Sequence, residues 1–332
     1  MGSNFATYIY EKYPDYKIVI VDSLTYAASI DNLPKSAFDG TNERIRFWYG
    51  NVMNAELIDT LVTDVDYVVH FAAETHVTRS IYDNLLFFQT DVIGTHTVAN
   101  AVLKAEKRIE RFVHISTSEV YGSATAASMT EDHPLNPMSP YASAKCGADR
   151  LVYSYWATYG LPITIIRPFN NYGPRQHLEK LIPRFITSCI LGEDLTVHGT
   201  GEAARDFIHV EDCCRAIDMV LHAPADDVVG KTFNVATNHH RTIFEIARDI
   251  VGAMNYPPEK ISFIGDRPGQ VFRHTGDYSR LNGQLGWQPE INWEDGIRAT
   301  IDWFKKNRPW WEKQLWMRKI PIRTSSGSVE MH

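Results

Sequence analysis

The feature that most constrains the fold is an alternation of short, β-branched apolar runs with longer amphipathic segments. Such runs occupy residues 17–22, 67–71, 112–116 and 163–167, and each is followed by turn residues and then by a helical periodicity. Apolar strands that alternate with helices are typical of a parallel sheet covered by helices on both faces. The pattern therefore predicts an α/β fold, specifically a Rossmann-like doubly wound parallel sheet.

Helices are predicted over 84–105 and 141–159, and the second is flanked by Pro140 and Gly160, which suit a helix start and end. Beyond Pro168 the elements become shorter. We expect helices over 181–191, 242–254 and 293–306 and a strand over 232–236. These changes predict a Rossmann-like domain over 1–170 and a smaller C-terminal substrate lobe over 171–306, with some segments returning to the core. A Trp-rich tail over 307–332 contains Trp310, Trp311 and Trp316.

Composition excludes several classes of function. The formal net charge is −7 and the isoelectric point is near 6.0, so no basic excess exists for a nucleic-acid surface. No apolar window reaches the 18 to 20 residues of a membrane span, and no secretory signal is visible at the N-terminus. The four cysteines lack metal-ligand spacing. We therefore expect a cytoplasmic protein with reduced thiols and without a nucleic-acid partner, membrane contact or metal.

The strongest chemical motif is a tyrosine and a lysine four residues apart, Tyr141 and Lys145, at the start of a predicted helix. This spacing places the phenol and the ammonium on one helical face. The cation is expected to lower the pKa of Tyr141 toward the pH at which a phenolate accepts a proton. Thr117, at the end of the neighbouring predicted strand, is expected to share the substrate oxygen.

Together with the strand pattern, these motifs resemble those of the extended short-chain dehydrogenases/reductases, and most closely the dTDP-glucose 4,6-dehydratases and related nucleotide-sugar dehydratases. The resemblance covers nearly the whole chain in the family's order. Its blocks are DSLTYAASIDNL at 22–33, HFAAETHVTRSI at 70–81, HISTSEVYG at 114–122, SPYASAK at 139–145, RPFNNYGPRQHLEKLIP at 167–183, RDFIHVEDCCRAI at 205–217 and RPGQVFRH at 267–274.

The resemblance implies a bound NAD that acts as a transient oxidant of a nucleotide-diphosphate sugar. Tyr141 would take the proton of the 4-hydroxyl while hydride leaves carbon 4, with Lys145 and Thr117 assisting. Glu119 would then remove the proton on carbon 5, water would leave carbon 6, and hydride would return there. The product would be a 4-keto-6-deoxy sugar.

One position departs from this pattern, because Ser118 stands where the dTDP-glucose enzymes usually have the Asp that protonates the departing hydroxyl. GDP-mannose dehydratases resemble this chain in having Thr-Ser-Glu, which keeps dehydration open, with Glu119 carrying the proton itself. UDP-glucuronate decarboxylases also resemble it at TSEVYG, so a decarboxylase or an epimerase of the same superfamily is an alternative. A non-catalytic binding partner is a third reading.

Cofactor and substrate residues follow from the same resemblance, with Asp22 at a strand end placed to accept the ribose hydroxyls of NAD. The cofactor set is Asp22, Ser23, Leu24, Thr25, Asn51, Val52, Phe71, Ala72, Ala73, Thr75, Thr90, Tyr141, Lys145 and Asn171. The substrate set is Thr75, Thr117, Asn170, Lys180, Leu181, Thr196, Val197, His198, Arg205, Asn238 and Arg273.

Two further expectations concern the sheet and the assembly. Of the family's glycine-rich turn only Gly2 is present, so we expect the sheet to lack its first, central strand and to bind NAD poorly. Family members commonly form homodimers through two long helices. The residues expected in that contact are Ile93, Val98, Val102, Val152 and Tyr155.

Overall fold

The computed structural model describes residues 1–265, 271–318, 321–323 and 329–331, so residues 267–270 of one motif block and 324–328 of the tail lie outside the described part. The strands are β1 (Ile18–Asp22), β2 (Ile45–Tyr49), β3 (Tyr67–His70), β4 (Arg111–Ile115), β5 (Ile163–Pro168), β6 (Asn170–Tyr172), β7 (Leu195–His198), β8 (Ala204–Arg205), β9 (Phe207–His209), β10 (Thr232–Val235), β11 (Arg241–Thr242), β12 (Ile261–Ile264), β13 (Pro321–Arg323) and β14 (Val329–Met331).

Helices connect and cover these strands. They are α1 (Gly2–Lys12), α2 (Ala55–Val62), α3 (Val77–Tyr82), α4 (Asn84–Phe87), α5 (Thr95–Lys104), α6 (Pro140–Tyr159), α7 (Leu181–Leu191), α8 (Val210–His222), α9 (Ala225–Val228), α10 (Ile243–Ala253), α11 (Ser279–Leu285), α12 (Trp293–Lys306) and α13 (Arg308–Glu312). A π-helical segment, Phe88–Gly94, joins α4 to α5. No helix of the described residues combines the length and the apolar character that crossing a bilayer requires.

The central sheet has the strand order β10-β5-β4-β3, and all neighbours are parallel. Successive residues along β4 face opposite layers, as strand geometry requires. Phe112 packs with α2, α5 and α6, whereas Val113 packs with α1 and α8. Strands β4 and β5 are buried throughout, which explains why both read as continuous apolar runs. This confirms the predicted fold class.

The strand layer is interrupted between β1 and β3. Strand β1 pairs in parallel with β2, but no backbone ladder joins β1 to β3 among the described residues. The pair still belongs to the same layer, because Ile18 packs on the α1–α8 side and Val21 packs on the α2–α5 side. As expected, the part of the chain that the structure describes contains no strand hydrogen-bonded between β1 and β3.

A second core organises the C-terminal lobe. It contains Phe185 of α7, Ile250 of α10, Ile301 of α12 and Trp311 of α13, all buried. Its small sheet pairs β7 with β12 in parallel. Because β10 follows this lobe's first helix in sequence but lies in the central sheet, the chain passes between the two regions more than once.

Most predicted elements match the structure within two residues. The helix expected over 84–105 is the exception, because it comprises α4, the π-helical segment and α5 rather than one regular helix. The exact division of the chain into domains stays a prediction.

A buried ion pair joins α6 to β5. Arg167 Nε lies 2.9 Å from Asp149 Oδ2, and its Nη2 donates to Oδ1 at 2.9 Å. The side chains are 3% and 0% exposed. The Arg167 guanidinium holds the pKa of Asp149 well below its usual range despite burial. Removing one member leaves an uncompensated buried charge, which is the costly case for such pairs.

We therefore expect Asp149→Asn to lower the free energy of unfolding by about 3 to 5 kcal/mol, as breaking a buried pair typically does. Urea denaturation followed by circular dichroism measures this loss. The control is Asp66→Asn, which breaks the exposed pair with Lys107 and should leave the unfolding midpoint unchanged. Equal midpoints for both variants would show that the buried pair does not stabilise the fold.

Candidate active site

A cavity of about 1740 Å³ runs between β1 and β3 along the length of both strands and includes a cleft at the carboxyl ends of β1, β3 and β4. Open α/β sheets bind ligands at this edge, because loops and helix N-termini converge there. The cleft extends to the C-terminal lobe, where Lys180, Thr196 and Arg205 form part of its wall. A single cavity therefore borders both the interrupted sheet and the lobe.

Tyr141 lies in the first turn of α6 and faces this cleft. Ser139 caps the helix by accepting a hydrogen bond from Ala142 N at 3.1 Å, and Pro140 occupies the first helical position. The side chains of Thr117 and Thr75 both hydrogen-bond the Tyr141 phenol. Two threonines and a phenol thus surround one point at which a substrate oxygen can be held.

The electrostatics of Tyr141 correct the sequence prediction. Burial and the negative charges of Asp91 and Glu119 raise the pKa of Tyr141, and the main lowering effects come from the Thr117 and Thr75 hydroxyls. Lys145 is buried behind the cleft wall, where its Nζ donates to the Ile115 carbonyl at 2.8 Å. Burial lowers the pKa of Lys145, and Asp91 opposes that effect. In the protein alone, Lys145 does not bring the phenol near neutrality.

Glu119 is positioned by a tight turn after β4. The Thr117 hydroxyl accepts a hydrogen bond from Glu119 N at 3.3 Å and so begins a single 3₁₀ turn over Ser118–Tyr121. The turn ends at Gly122 with φ of +69°, where a Cβ would lie only 2.0 Å from the Asn136 carbonyl oxygen. Glycine alone fits there. The turn directs Glu119 into the cleft, and its charge acts on Tyr141.

Two residues near these groups were missed by the sequence reasoning. Asp91 lies in the π-helical segment, is fully buried, and accepts a hydrogen bond from Glu74 N at 2.7 Å through Oδ1 while Oδ2 has no hydrogen-bond partner. His274 is also fully buried, with Nδ1 3.8 Å from Glu119 Oε1. Asp91 lies within a predicted helix and His274 lies far along the chain, so the sequence around each residue does not indicate that it is close to the site.

A third missed residue is Glu179, which lies on the cleft wall beside the predicted Lys180. Its carboxylate accepts hydrogen bonds from the Tyr26 hydroxyl and from Arg79 Nε, both at 3.0 Å. Lys180 Nζ donates to the Thr75 carbonyl at 2.7 Å. These contacts join the lobe to the loop after β3, and the position of Glu179 next to Lys180 in the EKLIP block was the available clue.

Most of the predicted site residues are brought together. Those on the cleft wall are Asp22, Ser23, Leu24, Thr25, Asn51, Val52, Phe71, Ala72, Ala73, Thr75, Thr90, Thr117, Ser118, Glu119, Tyr141, Asn170, Asn171, Lys180, Leu181, Thr196, His198 and Arg205.

Four predicted residues lie off the wall. Lys145 is behind it, Val197 is buried in the core of the lobe, and Asn238 accepts a hydrogen bond from Tyr278 N at 3.1 Å. Arg273 donates to the carbonyl oxygen of Ala127 at 3.2 Å. A family resemblance does not reveal these local contacts, which hold the side chains of Asn238 and Arg273 away from the cleft wall.

The cleft wall fits a dinucleotide. The N-terminus of α1 opens onto it with no acidic residue in its first turn and no side-chain cap, so backbone amides are available to an anion. Asp22 stands at the end of β1, and within the part of the chain that the structure describes the buried Asn171 Oδ1 lacks a hydrogen-bond partner. A ribose and a neighbouring amide or hydroxyl of such a ligand would satisfy these groups.

Fold and site together define a protein of the short-chain dehydrogenase/reductase class, with a Rossmann-type sheet and a Tyr-x-x-x-Lys helix at the edge of its cleft. More specifically, the chain belongs to the GDP-mannose 4,6 dehydratase family, whose sequence model matches residues 1–300.

Individual relatives agree with this assignment. A low-salt glycan biosynthesis protein of Haloferax volcanii is 43% identical over 92% of this chain and 95% of its own. A dTDP-glucose 4,6-dehydratase of Actinoplanes is 38% identical over 94% of this chain and 96% of its own. The crystal structure of the dTDP-glucose 4,6-dehydratase of Streptomyces venezuelae, with NAD bound, superposes with a TM-score of 0.88 at 37% identity, covering 94% of this chain and 96% of that one.

Asp91 gives the site a measurable pH signature. Burial raises the pKa of its carboxyl to about 7, although Lys145 opposes the increase. The folded state therefore binds this proton more tightly than the unfolded chain, in which an Asp titrates near 3.9. The resulting stabilisation is complete below pH 4 and is lost as the pH rises toward 7.

We expect Asp91→Asn to remove this loss and to raise the free energy of unfolding at pH 8 by up to about 4 kcal/mol relative to the parent. Urea denaturation between pH 4 and pH 8 measures how the free energy of unfolding of the parent and of the variant changes with pH. Asp59→Asn, which changes an exposed helical carboxylate paired with Lys104, is the control and should follow the parent. Parallel curves for Asp91→Asn and the parent would contradict the assignment.

Proposed function

We propose that the protein is an NAD-dependent nucleotide-sugar 4,6-dehydratase that converts dTDP-glucose to the 4-keto-6-deoxy sugar. The observation that carries this proposal is that Thr117 and Glu119 both act on Tyr141 at the wall of one cleft, Thr117 by a hydrogen bond and Glu119 by its charge. The relatives named dTDP-glucose 4,6-dehydratase cover more than nine-tenths of this chain, which supports this substrate.

NAD binding is supported by the fit of the cleft wall and by related enzymes solved with NAD. The N-terminus of α1 would face the pyrophosphate, Asp22 the adenosine ribose, and Thr90 and Asn171 the remaining polar groups. When bound, NAD supplies a reversible hydride acceptor and a positively charged ring that offsets the cost of a buried phenolate. The four cysteines are all free, which agrees with the reducing cytoplasm that we infer for the protein.

Each reacting group has a defined task in this proposal. Tyr141 accepts the proton of the sugar 4-hydroxyl, and Thr117 holds the same oxygen through its hydroxyl. Lys145, one turn further along the helix, donates to the Ile115 carbonyl. Once carbon 4 is a ketone the carbon 5 proton is acidic, and Glu119 removes it as general base so that water leaves carbon 6.

Polar residues of the lobe would hold the nucleotide diphosphate. Lys180 and Arg205 supply positive charge on the cleft wall, although the net charge of the protein is −7. Arg205 is buried and its guanidinium donates to the Ala204 carbonyl at 2.9 Å, so its position is fixed. A fixed guanidinium suits a diphosphate oxygen. Asn170, Thr196 and His198 complete this part of the wall.

The assay uses purified full-length protein with added NAD and a panel of dTDP-, UDP-, GDP- and CDP-hexoses. We expect dTDP-glucose to give a product that loses one water by mass spectrometry and absorbs near 320 nm in alkali. UDP-glucuronate is included, and release of carbon dioxide from it would identify the decarboxylase instead. Return of every substrate unchanged would refute the proposal.

Two variants separate the steps. Tyr141→Phe should lower kcat by about 10² to 10⁴ because it removes the acid–base group of oxidation. Glu119→Gln should lower product formation by a similar factor while still allowing oxidation of carbon 4, which is seen as absorbance at 340 nm. Tyr153→Phe, a partly exposed phenol on the same helix, is the matched control and should retain full activity. If Glu119→Gln eliminates water at the parental rate, another group is the base.

We also propose that the protein is a homodimer, with a contact that includes Ile93 of the predicted residues but not the three predicted valines. Val98, Val102 and Val152 pack against the protein's own sheet and are buried within the chain. The exposed apolar residues lie next to them, where Leu85 is 62% and Ile93 is 52% exposed. Exposed apolar clusters of this kind mark contact surfaces.

Ile93→Glu is therefore expected to convert the dimer to a monomer, because a charge would be buried at the contact. Sedimentation equilibrium at micromolar protein measures the mass. Phe263→Glu, which changes an exposed ring on the C-terminal lobe, is the control and should leave the dimer intact. A parent protein that sediments as a monomer would refute the dimer.

A further inference from the structure

A buried imidazole lies directly behind the proposed general base. His274 is 0% exposed, and its backbone N donates to the Ala204 carbonyl at 3.0 Å. Its ring contacts Phe169 edge-on at 6.3 Å between centroids. Its Nδ1 is 3.8 Å from Glu119 Oε1. The imidazole is therefore held rigidly with one nitrogen toward the carboxylate.

The hydrogen bonds fix the tautomer of this ring. His274 Nε2 lies 2.7 Å from the Gly122 carbonyl oxygen, which can only accept, so Nε2 carries the hydrogen. Nδ1 is buried and has no hydrogen-bond partner among the described residues. In the neutral ring Nδ1 is thus an acceptor, and it faces an oxygen that becomes a donor only when Glu119 is protonated.

Neighbouring charges favour the neutral ring. Burial is the largest effect and lowers the pKa of His274, and Arg205 and His133 lower it further. The Glu119 charge and the Gly122 carbonyl act in the opposite direction. Among the described residues, these are the largest effects on the pKa of His274. A neutral acceptor beside Glu119 stabilises the acid form of that carboxyl.

We propose that His274 is a positioning residue for water elimination, which holds the proton on Glu119 by accepting it in a hydrogen bond through Nδ1. This proposal rests on the dehydratase function proposed above. The contact must shorten by about 1 Å to become a hydrogen bond, as such contacts often do when substrate binds.

The step balances with one carboxyl group. Glu119 takes the proton from carbon 5, and the electron pair of that bond becomes the bond between carbons 5 and 6. The bond from carbon 6 to oxygen breaks, and the departing oxygen takes the same proton from Glu119 and leaves as water. His274 neither gains nor loses a proton overall. This arrangement explains how the site operates with Ser118, which cannot act as a strong acid, next to Glu119.

Two substitutions of His274 distinguish its nitrogens. Gln places an amide near the Nε2 position, so His274→Gln keeps the bond to Gly122 and removes Nδ1. Asn places an acceptor near Nδ1, so His274→Asn keeps that group and removes the bond to Gly122. We expect His274→Gln to slow elimination by at least tenfold and His274→Asn to restore part of that loss.

The kinetic readout is a single turnover with dTDP-glucose. His274→Gln should accumulate absorbance at 340 nm and show a larger isotope effect with substrate deuterated at carbon 5, because elimination becomes slower than oxidation. His222→Gln, which removes an imidazole paired with Asp218 on α8, is the control and should behave as the parent. Parental elimination rates in His274→Gln would overturn the proposal.

A second readout does not depend on turnover. In ¹⁵N nuclear magnetic resonance of the protein, His274 should show a protonated Nε2 and an unprotonated Nδ1 at pH 7.5, and Glu119→Gln should lower its pKa. An Nδ1-protonated tautomer, or a pKa unaffected by Glu119→Gln, would refute the coupling. A parent that does not convert dTDP-glucose but passes this test would refute the proposed substrate and retain the Glu119–His274 pair.

Discussion

The parallel pairing of β3, β4, β5 and β10 is the constraint on which the site depends. Parallel strands place all their carboxyl ends at one edge, so the turn after β4 and the loop after β3 meet the first turn of α6 there. Thr117 and Tyr141 are distant in sequence but hydrogen-bonded because of this register. The buried pair of Asp149 and Arg167 fixes α6 against β5 and so fixes the phenol relative to the strand ends.

Burial decides the electrostatics of this site more than the pairing of opposite charges does. Tyr141, Lys145, Asp91 and His274 are all shifted toward their neutral forms, with desolvation as the largest cause in each case. In such a site the acids Tyr141 and Asp91 hold their protons more tightly, whereas the bases Lys145 and His274 release theirs more easily. Passing a proton from one group to its neighbour therefore costs less free energy than creating two separated ions in the same low-dielectric cavity.

The sequence was informative where a local pattern determines structure. Strands β4 and β5 are buried on both faces and therefore read as unbroken apolar runs, and α7 and α12 begin and end where their periodicity does. It was uninformative for Asp91 and His274, whose roles arise from contacts between distant segments. For Lys145, spacing on a helix did not reveal that its ammonium donates to the Ile115 carbonyl.

The hydrogen bonds of Glu179 and Lys180 limit how the C-terminal lobe can move. Arg79 donates to Glu179, and Lys180 donates to the Thr75 carbonyl, so the segment before α7 is tied to the segments after β3. Thr75 also hydrogen-bonds the Tyr141 phenol through its side chain. A hinge motion of the lobe would therefore pull on a partner of that phenol, which couples opening of the cleft mechanically to the alignment of the acid–base group.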